Sequence, residues 1–112
     1  MIRINRFDVT QAIPAHDGTI LGMKAFGPGL DEPFQHFYGH LETIGIMDGN
    51  REGHSHPAAE VYIVMEGEGV VHIRDEEAMV REGDVVEIPR NAPHTMENRT
   101  GFPLTWLALW WE

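Results

Sequence analysis

Apolar residues in this chain come in short runs cut by breakers, not in long periodic stretches. Breakers recur at Pro14, Asp17-Gly18, Gly27-Pro28-Gly29, Asp48-Gly49, Gly53, Pro57, Gly67, Gly69, Gly83, Pro89, Pro93, Gly101 and Pro103. Most intervening runs have the length of strands. The pattern predicts strands over residues 19–25, 43–47, 60–65, 70–74, 78–81, 84–88, 95–98 and 104–110. A helix is compatible with residues 9–13, though nothing compels it. Several short strands with regular turn signals favour a sandwich or a barrel. Val85-Val86 and Leu107-Ala108-Leu109 are apolar on both faces, as in a closed small barrel or a strand covered by a partner. Residues 1–38 are expected to pack across the barrel or onto a neighbouring subunit.

Composition narrows the class. At 112 residues there is room for one domain. Eight basic against 18 acidic residues give a net charge of −10, and Lys24 is the only lysine. That balance argues against a nucleic-acid partner and against an anionic membrane surface. No apolar run reaches the length of a membrane span. The first residues lack a signal peptide's apolar centre, so a soluble cytoplasmic protein is expected. The absence of cysteine excludes disulfides, thiolate metal sites and cysteine nucleophiles.

The candidate chemistry lies in the histidines. His54 and His56 are two positions apart, so on extended backbone they share a face. Pro57 makes a corner possible, after which Glu60 can turn inward again. His94, just after Pro93, can add a fourth ligand from a distant strand. Three imidazoles and one carboxylate suit a divalent first-row metal. An octahedral ion would keep two positions for water, substrate or dioxygen, whereas zinc is more usually tetrahedral. One carboxylate against a dication leaves the site net positive, able to hold an anionic carboxylate or enolate.

These residues fall in a longer pattern that resembles the cupin superfamily. His54-Ser55-His56, three residues, Glu60, six residues and Gly67 match the family's first motif. Gly83, Pro89, His94 and Asn98 match the second, and residues 68–82 separate the two. There are two departures. Asp48 stands where the first motif begins with glycine, with Gly49 one position later, and Asn91 replaces the glycine of Pro-x-Gly. Asn tolerates a left-handed backbone better than most residues, so that turn can survive.

The resemblance covers residues 48–98. It implies an all-β, small double-stranded β-helix (jelly-roll) barrel with its core at about residues 43–110, and commonly a homodimer. It also implies one divalent transition metal (Mn, Fe, Ni, Zn or Cu) on His54, His56, Glu60 and His94. The glycines, Pro89 and Asn98 read as structural, with Asn98 fixing a strand end.

If Glu60 points inward, so do Tyr62 and Val64; if His94 does, so does Met96. Tyr62 can orient a substrate or donate a proton, and Glu60 can act as a base if it leaves the metal. Met96 reads as core filling. His36, Tyr38 and His40 precede the barrel and read as an ordinary loop, although they are placed to reach a cavity mouth. His16 reads as a turn residue, and His72 has no motif match. Trp106, Ala108 and Trp110 share one face of the last strand. Leu107, Leu109 and Trp111 share the other, which suits a dimer surface. The function expected is a metal-dependent enzyme on a small, anionic organic substrate, with dioxygenase-like or decarboxylase-like chemistry. The alternative is a non-catalytic small-molecule-binding or sensing module.

Overall fold

The computed structural model describes residues 1–27 and 33–112. Pro28 and Gly29 of the expected Gly-Pro-Gly turn lie outside the described residues. The described residues form ten strands: β1 (Ile13–Ala15), β2 (Ile20–Met23), β3 (Gln35–Leu41), β4 (Gly45–Ile46), β5 (Ala59–Glu66), β6 (Glu68–Ile73), β7 (Glu76–Arg81), β8 (Val85–Ile88), β9 (His94–Asn98) and β10 (Leu104–Trp111). A short 3-10 turn, Met47–Gly49, follows β4. These strands pair antiparallel, in a six-stranded sheet ordered β1-β2-β3-β10-β5-β8 and a four-stranded sheet ordered β4-β9-β6-β7. This is the all-β barrel that the sequence implies.

The inner faces of the two sheets meet in one core. Tyr62 and Val64 of β5, Val71 of β6, Val80 of β7, Ile88 of β8, Met96 of β9 and Trp106 of β10 belong to it. The alternation predicted from Glu60 and His94 therefore holds for Tyr62, Val64 and Met96. Asn98 is fully buried and fixes a strand end as expected: its side-chain amide donates to the carbonyls of Leu41 and Phe102, and its oxygen accepts from Thr100.

β2 falls within the strand expected over 19–25, but the rest of the N-terminal third departs from expectation. β1, β2 and β3 are strands of the larger sheet, so the barrel wall begins before residue 43. β3 pairs with β10 from Gln35↔Trp110 to Leu41↔Leu104. Residues 9–13 form no helix. Asp8 accepts from the backbone and hydroxyl of Thr10, which closes a turn, and Pro14 then sits in an edge strand. Among the described residues no helix is long and apolar enough to cross a membrane.

Candidate metal centre

Three segments converge at one end of the barrel. The loop before β5 presses against β9 because position 53 is glycine. Gly53 has φ +63°, and a Cβ there would lie 1.9 Å from the carbonyl oxygen of His94. The close approach lets His54 and His94 exchange backbone hydrogen bonds of 3.2 and 2.9 Å. Their rings then stand edge to face, with centroids 4.5 Å apart. His56 is tied to the turn before β9 by a 2.8 Å bond from the Asn91 amide to its carbonyl. Asn91 takes the left-handed backbone expected of it, φ 63°. Glu60 points inward from β5, opposite Ile88 and Trp110.

The four side chains singled out in the sequence are thereby brought together. Candidate ligand atoms of His54, His56, Glu60 and His94 all lie within 4.8 Å of one another. The hydrogen bonds around them fix which nitrogen faces inward. Nδ1 of His56 lies 2.9 Å from the Ala58 carbonyl, and Nδ1 of His94 lies 2.8 Å from the Ala92 carbonyl. A carbonyl only accepts, so both Nδ1 atoms carry the proton. In the neutral ring each Nε2 then presents a lone pair to the centre.

Glu60 Oε1 stands 3.0 Å from both of these Nε2 atoms. The Nε2 of His94 is buried without a hydrogen-bond partner, because its contact to Glu60 lacks hydrogen-bond geometry. At the His94 Nε2, electron-rich atoms thus meet with no proton donor between them, whereas the contact of His56 Nε2 to Glu60 has hydrogen-bond geometry. A buried arrangement of this kind is costly unless a cation fills it. The donor set fits a divalent first-row ion, with each imidazole oriented through its other nitrogen.

His54 is oriented by a residue the sequence reading recorded only as a departure. Its Nδ1 donates to Asp48 Oδ2 at 2.6 Å, and His16 Nδ1 lies 2.9 Å from the other carboxylate oxygen. Asp48 has φ 64°, a backbone conformation that favours glycine. The non-glycine at this position therefore supplies an acid. Burial raises the Asp48 carboxyl, but hydrogen bonds from His54 and His16 outweigh it and hold the group below the usual range. Burial pushes His54 below its ordinary value, the Asp48 bond pulls it upward, and the nearby His94 ring adds to the lowering. At neutral pH the pair is a carboxylate and a neutral imidazole whose Nε2 is free for a metal.

A cavity of about 280 Å³ opens in front of this cluster. His54, His56 and Glu60 form its polar end, and Phe37, Trp106 and Trp110 line its other walls. Tyr62 also lines it. Burial, then the charges of Glu60 and Asp48, push its hydroxyl well above the ordinary range, so it stays a proton donor. Two glycines set the aromatic wall. A Cβ at Gly39 would lie 2.4 Å from the Trp106 ring, and one at Gly22 would lie 2.0 Å from the Phe37 ring. Without side chains there, both rings can lie flat on the inner face of the sheet.

Three of the remaining four histidines sit elsewhere. His36, Tyr38 and His40 lie on a strand, not a loop, and alternate with Phe37 and Gly39. They face away from the cavity. His36 accepts from the amides of Ala25 and Phe26. His40 bonds to Thr105 and Glu42, and Phe7 stacks on it. His72 pairs with Glu97 at 2.9 Å on the outer side of the smaller sheet. His16 is in a turn as expected, but it also lines the cavity and holds Asp48. Sequence reasoning missed that role, as it missed Asp48 and Phe37. Only the Asp48 departure marked the place.

Residues 43–110 match the family described as Cupin domain. An uncharacterized protein of Methanocaldococcus jannaschii is 36% identical over 52 residues, which cover 46% of this chain and 42% of that protein. The match thus spans about two fifths of the relative's length. Among solved structures, a Cupin 2 conserved barrel domain protein from Salinispora arenicola superposes with TM-score 0.85 at 19% identity, covering 100% of this chain and 90% of that one. The polyketide cyclase RemF from Streptomyces resistomycificus gives 0.76 at 19% identity, with 96% and 79% covered. A predicted oxalate decarboxylase from Thermotoga maritima gives 0.75 at 18% identity, with 96% and 97% covered. At these identities the structures establish the fold alone.

Proposed function

The chain belongs to the cupin family, and from that premise we propose that it is a divalent-metal-dependent enzyme acting on a small organic substrate by dioxygenase-like or decarboxylase-like chemistry. His54, His56, Glu60 and His94 are the proposed ligands. The observation that carries the reading is the convergence of imidazole lone pairs on Glu60, with the Nε2 of His94 buried and unpartnered. A bound ion would supply Lewis-acid polarisation of a substrate oxygen.

The chain's own residues supply the rest. Tyr62 is held protonated and donates a hydrogen bond to substrate. Glu60 lines the cavity and, on leaving the metal, is the carboxylate that accepts a proton from that substrate. Phe37 and Trp106 keep water from the inner wall. The fold positions similar to a decarboxylase and a cyclase are consistent with such chemistry but select neither. We also propose a homodimer formed through the outer face of the larger sheet, where Val61, Ile63, Leu107 and Leu109 lie in register beside Val85.

The test is turnover. Oxygen uptake and carbon dioxide release are measured with catechols, enols and 2-oxo acids, using chelated, metal-reloaded and Glu60→Gln protein. Activity that follows metal content and falls in Glu60→Gln supports the proposal. Binding without turnover across the panel overturns it in favour of a non-catalytic binder.

A further inference from the structure

The cavity that fronts the metal cluster has an unusual balance of walls. Its lining contains no lysine or arginine. Its acidic groups are Glu60 inside and Glu112 at the lining, with Asp48 behind His54. Small dicarboxylates are normally held by fixed cations, most often the paired donors of arginine. Arg90 stands at the edge, but its guanidinium is committed to the carbonyls of Pro57 and Glu112, so no lining residue offers a cation to a second carboxylate.

Charge balance points the same way. A divalent ion against the Glu60 carboxylate leaves one positive charge. A substrate that brings one negative charge neutralises it. A dianion would leave an uncompensated negative charge in a half-enclosed cavity, beside acidic neighbours and in a chain of net charge −10.

The other walls are flat and apolar. Trp106 lies against Gly39 and Phe37 against Gly22, so both rings are held by the sheet. Trp110 stands beside Glu60 across β5 and β10. Tyr62 contacts both Trp106 and His94 edge-on or tilted, with centroids 5.9 and 6.0 Å apart. Rings fixed in this way stack on a planar ligand with little loss of side-chain freedom. A volume of about 280 Å³ lies at the small end for organic ligands, which suits one or two fused rings.

We propose that the substrate is a planar aromatic or conjugated molecule that presents a pair of adjacent oxygens carrying one negative charge, and that small dicarboxylates are excluded. This rests on the metal-centre reading above and narrows it. Phe37, Trp106 and Trp110 are the specificity-determining residues. Tyr62 donates to one of the two oxygens.

The experiment is a binding comparison on metal-loaded protein. The probes are 2,3-dihydroxynaphthalene and oxalate, read by calorimetry and by quenching of tryptophan fluorescence, with metal content measured on the same samples. The expected result is affinity for the naphthalenediol at least about tenfold above that for oxalate, with strong quenching. In Trp110→Ala the naphthalenediol affinity falls about tenfold or more, while oxalate affinity and metal content stay unchanged; a tenfold change is about 1.4 kcal/mol. Equal or tighter oxalate binding with metal present overturns the substrate class alone. Naphthalenediol binding that survives Trp110→Ala unchanged also overturns it. A protein that takes up no metal overturns the metal centre together with this proposal.

Discussion

The Asp48 carboxylate stands 2.6 Å from Nδ1 of His54. It is the one charged group among the acceptors that orient the three histidines, since His56 and His94 use backbone carbonyls. A carboxylate behind an imidazole fixes its tautomer and raises its basicity as a ligand. Asp48 also occupies a left-handed backbone position, so glycine can replace it without strain. Asp48→Gly is therefore predicted to keep the fold and to lose about 10- to 100-fold in metal affinity. Competition against a fluorescent chelator measures the loss. Unchanged affinity would contradict the role given to Asp48.

Gly53 makes the centre possible at the level of the backbone. Its φ is +63°, and any Cβ would meet the His94 carbonyl at 1.9 Å. Gly53→Ala is predicted to cost about 2 kcal/mol or more, because strain and clash add. Urea unfolding gives the value. A loss near zero would mean that the bridge between His54 and His94 does not depend on the close approach.

Acid should weaken the metal-free protein through His54. Burial holds this group below its ordinary value of 6.5 in the folded state. The folded chain then binds fewer protons than the unfolded chain, and the stability this represents is present above about pH 6.5 and lost as pH falls through the lower folded value. Asp48 adds a second loss below its ordinary value of 3.8, by the same sign. Thermal unfolding of chelated protein at pH 7.5 and 5.5, beside His54→Asn, isolates the first effect from the general easing of charge repulsion in an acidic chain. The expected result is a larger drop for the natural sequence. Parallel curves would contradict it.

The homodimer proposal makes a simple prediction. Val85 is 59% exposed and faces outward opposite Ile63. Light scattering should give twice the chain mass for the natural protein. Val85→Glu should reduce it to one chain mass without loss of melting temperature. A natural protein that stays monomeric would contradict the proposal.

Much of this was legible in the sequence where local chemistry and tertiary role agree. The runs from 60 to 65 and from 104 to 110 are β-branched and aromatic, and they fold as β5 and β10. The ligand set was legible because the spacing of His54, His56, Glu60 and His94 matches the motifs of the family the sequence resembles. Gln35–Leu41 was not, since its histidines and Gly39 are poor strand signals. Its order comes from pairing with β10 along its whole length, and Gly39 serves the Trp106 ring, not the strand. The run 43–47 shortened to Gly45–Ile46 because Met47–Gly49 turns to aim Asp48 at His54. No local pattern distinguishes a turn aspartate that caps a loop from one that holds a ligand. His16 was hidden for the same reason.

His54, His56, Glu60 and His94 are proposed to hold one divalent transition ion. Inductively coupled plasma mass spectrometry on protein purified without chelator or polyhistidine tag tests it most directly. The expected result is close to one equivalent of a first-row metal per chain, absent from a His94→Ala variant that still melts cooperatively. A protein that is metal-free and resists reloading, or a His94→Ala variant that keeps its metal, would contradict it.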